Sequence, residues 1–100
     1  ITPGQKISYI VDVGYSESNA DKAVNLAEAS DHLFIEAAFL DQQAEIARTK
    51  NHLTARQAGS IAARARVRQM TPFHFSPRYA GREDLLQAEA QAAFEAAERR

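Results

Sequence analysis

Apolar and polar residues follow one another along the chain in blocks that predict alternating strands and helices. Residues 6–13 form a short apolar, β-branched run, which is typical of a strand buried on both faces. Residues 33–39 and 67–73 have the same character and predict a second and a third strand. One charge, Glu36, interrupts the second run, so a specific role is expected for this carboxylate.

Helices are predicted between and after these strands. Ser18 or Asn19 caps a first helix that continues to residue 29, Asp41 caps a short second helix, and Thr54 caps a longer alanine-rich third helix. A fourth helix begins at Asp84. This order predicts an α/β fold, with a small, three-stranded, mostly parallel sheet, flanking helices and right-handed crossovers.

Composition restricts the class of protein. The 100 residues, 45% hydrophobic and 25% charged, predict a single unit over residues 1–100. A net charge of -1 provides no overall basic field for nucleic acid or an anionic membrane. Without cysteine, metal ligands would be histidine and carboxylate. No apolar stretch approaches the roughly 20 residues that span a bilayer, so we expect no membrane partner and a cytoplasmic location.

A three-stranded sheet leaves strand edges open. We therefore expect either a homo-oligomer, such as a dimer, or association with neighbouring strands of a larger protein. The chain begins with Ile1 rather than methionine, which is consistent with a piece of something longer.

Asp12 and His74 are candidate metal ligands. Asp12 closes the first predicted strand and His74 follows the third, so in a parallel sheet both side chains reach the same rim. Carboxylate and imidazole suit zinc or manganese. Two ligands are too few for a stable site, and an isolated aspartate after a strand is more often a turn or capping residue.

Glu36 and His52 are candidates for acid–base chemistry, because a carboxylate that orients an imidazole helps it to donate a proton to a leaving oxygen. The alternative is a buried hydrogen-bonded pair without a catalytic role. Arg78, with Ser76 in the same turn, is a candidate phosphate contact, although Arg78 could equally hold the loop against a carboxylate. The remaining local basic cluster gives only a weak indication of phosphate binding; it comprises Arg56, Arg64, Arg66 and Arg68.

Three motifs resemble the C-terminal half of the ribonuclease Z branch of the metallo-β-lactamase-fold hydrolases. Residues 30–39 resemble that family's strand with an embedded Glu-Ala-Thr, and residues 52–55, His-Leu-Thr-Ala, resemble its His-Ser-Thr-Ala. Residues 74–79, His-Phe-Ser-Pro-Arg-Tyr, match its terminal His-Phe-Ser-x-Arg-Tyr. Val13 and Ala38 stand where the family commonly has threonine.

The resemblance implies a role for each matching residue. Asp12 would bridge two zinc ions, His74 would bind one of them, and Glu36 with His52 would assist departure of the leaving oxygen. The reaction would be metal-dependent hydrolysis of a phosphodiester, with the 3′ end of precursor transfer RNA as the usual substrate. The implied architecture is the C-terminal half of the αββα fold.

The family's His-x-His-x-Asp-His run, which supplies most metal ligands, is absent from these residues. We therefore expect the C-terminal part of a larger hydrolase, inactive as this chain alone. Two alternatives stay open: a hydrolase of a small phosphodiester or ester on the same fold, and a non-enzymatic α/β interaction module. Separation of Asp12 from His74 in space would favour the module.

Overall fold

The computed structural model describes residues 4–98, with side chains to residue 96, and contains a three-stranded sheet with flanking helices. The elements in chain order are β1 (Ile7–Ile10), α1 (Glu17–Ala27), β2 (His32–Glu36), a 3₁₀ turn (Asp41–Gln43), α2 (Ala44–Thr49), α3 (Ala55–Arg64), β3 (Gln69–Phe73), a second 3₁₀ turn (Pro77–Tyr79) and α4 (Glu83–Glu98).

The sheet has the order β1-β2-β3, and both strand pairs are parallel. Ile7 pairs with His32, which in turn pairs with Gln69, so all three strands begin at one edge and end at the other. The predicted α/β class with a small parallel sheet is confirmed. Parallel strands place their carboxyl ends along one rim, and this rim carries the polar side chains singled out from the sequence.

The helices pack on one face of this sheet. Leu33 and Ile35 of β2 are fully buried on that side, together with Ile61 of α3 and Leu86 of α4. The contact between α3 and α4 is close, because a Cβ atom at Gly59 would lie 2.2 Å from the carbonyl oxygen of Ala90. Glycine at this position lets the two helix backbones approach, which no other residue would permit without a shift.

The opposite face of the sheet carries a row of aromatic side chains. Tyr9 and Phe34 stack with ring centroids 4.9 Å apart, His32 stacks on Phe34 at 4.2 Å, and Phe73 meets Phe34 edge-on at 6.4 Å. Tyr9 is 61% exposed, so the prediction that the first strand is buried on both faces is wrong. The reason is that the helices cover only the face that carries Leu33 and Ile35.

Several predicted boundaries are also corrected. Helix α1 is capped by Ser16, whose hydroxyl accepts from the Asn19 backbone N–H, rather than by Ser18 or Asn19. Asp41 lies inside a 3₁₀ turn and caps no helix; its carboxylate instead accepts the Thr54 hydroxyl at 3.0 Å.

The remaining boundaries agree better with the structure. Thr54 caps α3 as predicted and forms a reciprocal capping box with Gln57. Helix α4 begins at Glu83, one residue before the predicted start. No helix within the described range has the length and apolar character required to cross a membrane.

Candidate metal centre

Four side chains meet at the carboxyl edge of the sheet. Asp12 lies just beyond β1, Glu36 is the last residue of β2, His74 directly follows β3, and His52 precedes α3. Each offers one potential ligand atom, and these atoms all lie within 4.8 Å of one another. The fold therefore brings together the residues that the sequence analysis selected, while their chemical roles stay predictions.

Glu36 lies at the centre of this cluster and is fully buried. Its Oε1 accepts the Asp12 backbone N–H at 2.9 Å and His74 Nδ1 at 3.1 Å. Its Oε2 accepts the Leu53 backbone N–H at 2.9 Å and His52 Nδ1 at 2.9 Å. A carboxylate is costly to bury unless its oxygens are hydrogen-bonded, and these four bonds meet that requirement.

These bonds fix which nitrogen of each histidine is available. As a carboxylate Glu36 only accepts hydrogen bonds, so both imidazoles carry a proton on Nδ1 and leave Nε2 for a ligand. The His52 and His74 side chains are 27% and 49% exposed. A carboxylate bonded to an imidazole also fixes the orientation of the ring, as in the outer ligand shell of metal sites.

Asp12 and His74 share an unusual backbone conformation. Their φ angles are 54° and 60°, in the left-handed region, which Asp, Asn and His enter more readily than most other residues. Both residues are held there by bonds to Glu36 Oε1. The Asp12 side chain is exposed, and its carboxylate has no hydrogen-bond partner within the described range. It is therefore free to bind a ligand.

The donor set fits a divalent metal only in part. The Asp12 carboxylate and the Nε2 atoms of His52 and His74 are oxygen and nitrogen donors of the kind that zinc and manganese accept. Glu36 uses its oxygens in four hydrogen bonds and is better suited to orient ligands than to bind metal. Three donors at most fall short of a closed four-ligand site, so the described residues do not form a complete metal site by themselves.

Ser76 lines a cavity of about 240 Å³ that also touches His52 and His74. Its hydroxyl caps the second 3₁₀ turn by accepting the Arg78 backbone N–H at 3.3 Å. The Arg78 guanidinium donates to Gln43 Oε1 at 3.0 Å and lies over the Phe39 ring. Arg78 therefore holds its loop, through the Gln43 carboxamide rather than the carboxylate considered as an alternative, and phosphate binding by Arg78 stays a prediction.

Tyr79 closes the motif of residues 74–79, but the sequence predicted no role for it. It is 3% exposed, donates its hydroxyl to Gln43 Oε1 at 2.6 Å and accepts the Leu40 backbone N–H at 3.1 Å. Its place in the motif was the available signal. Together with Arg78, it fixes the turn that follows His74 against residues 39–43.

Most of the predicted basic cluster is engaged in ion pairs at the surface. Three arginines lie within 3.7 Å of a carboxylate, in the pairs Arg56–Asp41, Arg64–Asp21 and Arg68–Asp31. This agrees with a solvated face and gives no support to a phosphate site there.

Known proteins are similar to the chain in sequence and in fold. Ribonuclease Z of Thermobifida fusca (strain YX) is 50% identical over 96 residues, which cover 94% of this chain and 29% of that protein. Ribonuclease Z of Kineococcus radiotolerans is 41% identical over 91 residues, covering 91% of this chain and 27% of that protein. The matched region is the C-terminal part of these relatives. No protein-family model matches the chain.

A solved structure is similar as well. The metallo-β-lactamase fold protein YhfI from Bacillus subtilis superposes with a TM-score of 0.77 and 26% identity, over 94% of this chain and 36% of that one. The chain is the C-terminal part of a metallo-β-lactamase-fold protein similar to ribonuclease Z. This ribonuclease Z-like chain spans less than a third of the length of the curated relatives named above. The incomplete set of potential metal ligands agrees with the small fraction of the relatives' length that the chain spans.

Proposed function

We propose that the complete protein is a metal-dependent phosphodiesterase that cleaves RNA, of the type that processes the 3′ end of precursor transfer RNA. This chain supplies the closing half of its metal centre. The observation that carries the proposal is the Glu36 cluster: a buried carboxylate orients two histidines beside a free Asp12 carboxylate. The 50% identity to a ribonuclease Z gives this cluster its reaction class.

Asp12 and His74 would hold the metal through the Asp12 carboxylate and Nε2 of His74. Zinc is the proposed metal and manganese the alternative, because both accept this mixture of donors. A bound ion would lower the pKa of water and stabilise the charge that develops on the phosphate. The remaining ligands would come from the part of the protein that precedes this chain in its relatives.

His52 and Glu36 would act together on the leaving oxygen. Nε2 of His52 faces away from Glu36, so it can carry a proton toward a substrate while Nδ1 stays bonded to the carboxylate. Negative charge behind the ring stabilises the imidazolium from which that proton is donated. Glu36 is therefore a positioning residue and His52 the proposed catalytic acid.

Other parts of the chain would contact the substrate phosphate and the preceding part of the protein. Ser76 lines the cavity that also touches His74, and Arg78 follows Ser76 in the same turn. Their side chains would contact a substrate phosphate. The bare aromatic face of the sheet, with Tyr9 and Phe34, would pack against the preceding part of the protein. Residues 1–100 would then form one piece of a larger domain, and association into a homo-oligomer stays a prediction.

Cleavage of a precursor transfer RNA by the complete protein tests this proposal. We expect release of the 3′ trailer, loss of that activity after chelation, and its return on addition of zinc or manganese. A small phosphodiester is assayed in parallel, to distinguish an RNA substrate from the alternative of a small phosphodiester substrate. Hydrolysis of the small substrate without cleavage of the RNA would favour that alternative. Cleavage that survives complete metal removal would contradict the proposal.

The non-enzymatic module is disfavoured by the structure. Separation of Asp12 from His74 would have favoured that alternative, whereas their potential ligand atoms lie within 4.8 Å of each other.

A further inference from the structure

A second cavity opens on another side of His52. It measures about 180 Å³ and is lined by Tyr15, Ala44, Glu45, Arg48, His52 and Gln57. We call it the Tyr15 cavity. It shares His52, but neither His74 nor Ser76, with the cavity of about 240 Å³ described above. Within the described range, His52 therefore stands between two separate spaces, and the Tyr15 cavity lies away from the His74 side.

Tyr15 is positioned by a close backbone approach. A Cβ atom at Gly14 would lie 3.0 Å from the Asn51 Cα atom, so the turn after β1 packs directly against the residue that precedes His52. The Asn19 side chain donates to the Gly14 carbonyl at 2.8 Å and holds this turn. Tyr15 is 40% exposed and has no hydrogen-bond or ring partner among the described residues. Its ring is available for stacking.

Arg48 provides an unpaired charge in the same cavity. Arg56 and Arg78 at this end of the molecule have polar partners, in Asp41 and Gln43. The Arg48 guanidinium has none within the part of the chain that the structure describes. The Glu45 carboxylate lines the cavity as well, so the lining combines an aromatic ring, a cation for phosphate and an acceptor for amino or hydroxyl groups.

We propose that the Tyr15 cavity binds the nucleotide that carries the leaving oxygen of the RNA substrate. Its base would stack on Tyr15, and the backbone phosphate on its far side would pair with Arg48. The proposal rests on the proposed function, because the direction of the RNA follows from His52 as the acid that protonates the leaving oxygen. A leaving group must extend from the scissile bond past His52, into space that His74 does not line.

The size of the cavity agrees with this assignment. Drug-sized ligands occupy pockets of roughly 300 Å³ or more, so about 180 Å³ suits a single nucleoside rather than a longer segment. Stacking on an aromatic ring is tolerant of base identity, whereas a guanidinium recognises phosphate through paired N–H donors. The cavity would therefore hold the substrate strand in place without selecting its sequence.

The test compares variants of the complete protein on modified RNA. Tyr15→Ala is assayed on an intact RNA and on one with an abasic ribose at the leaving-side position. Stacking is strong enough that we expect about a tenfold loss of kcat/KM on the intact RNA and a much smaller loss on the abasic RNA. Arg48→Ala is assayed in the same way, with a neutral methylphosphonate in place of the far-side phosphate.

Arg68→Ala is the matched control, since Arg68 is 80% exposed and pairs with Asp31 at the opposite end of the sheet. Arg68→Ala removes the same charge as Arg48→Ala and should leave kcat/KM unchanged on both the intact and the modified RNA. The proposal for the Tyr15 cavity would be overturned if the variants lost equal activity on intact and modified RNA, or if the loss depended on an abasic site on the other side of the scissile bond. In either case, RNA cleavage by the unsubstituted protein would still support the proposed function. Absence of that cleavage would overturn both.

Discussion

Replacing His52 by alanine in the complete protein is expected to lower kcat for RNA by about 10²- to 10⁴-fold, the usual contribution of a positioned general acid. A ribose oxygen is a poor leaving group unless it is protonated as its bond to phosphorus breaks. His52 is placed for that step because Glu36 holds Nδ1 at 2.9 Å and leaves Nε2 available, with 27% of the side chain exposed.

The leaving group separates this role from metal binding. A nitrophenyl phosphodiester releases a stable phenolate that needs no proton, so His52→Ala should slow this substrate far less than RNA, and metal content should be retained. Arg68→Ala is a suitable control, because Arg68 is 80% exposed and pairs with Asp31 at the opposite end of the sheet. Equal losses on both substrates, accompanied by loss of metal, would instead identify His52 as a ligand.

Glu36→Gln is expected to reduce both activity and stability although it preserves the shape of the side chain. Each oxygen of Glu36 accepts one backbone N–H, from Asp12 or from Leu53. Whichever way the amide of glutamine is turned, its NH₂ group faces one of these donors. The histidines can exchange tautomers, but a backbone N–H cannot become an acceptor, so one backbone donor loses its partner. The cost is about 1–3 kcal/mol if this is the buried Leu53 N–H and smaller if it is the part-buried Asp12 N–H.

The consequence for activity follows from the same bonds. We expect kcat for RNA to fall by about 10²-fold in Glu36→Gln, because the imidazolium of His52 loses the negative charge behind it. Denaturant unfolding and single-turnover RNA cleavage measure the two effects. Glu28→Gln, a charge change at an exposed position of the α1 C-terminus, is the matched control. Full activity in Glu36→Gln would show that Glu36 serves packing alone.

The order of elements and the rim of polar residues were predictable because local signals determined them. Short β-branched runs separated by capped helices predict parallel strands, and parallel strands share a carboxyl edge. The sequence alone therefore predicts Asp12 and His74 on one rim. Thr54 was predictable as a cap for the same reason, since its hydroxyl acts within its own helix turn.

Other features depend on contacts between distant parts of the chain and left no local signal. Glu36 was paired with His52 from the sequence, but its bond to His74 joins residues 38 positions apart. The exposure of Tyr9 depends on which face the helices cover. The partners of Arg78 and the Tyr15 cavity depend on how residues 39–48 fold back over the rim.

Anomalous diffraction from crystals of the complete protein, recorded on both sides of the zinc or manganese absorption edge, tests directly whether Asp12 and His74 bind a catalytic metal. We predict an anomalous peak about 2.0–2.2 Å from an Asp12 carboxylate oxygen and from Nε2 of His74. In a fully loaded, active protein, a metal that lies away from both residues would show that neither is a ligand.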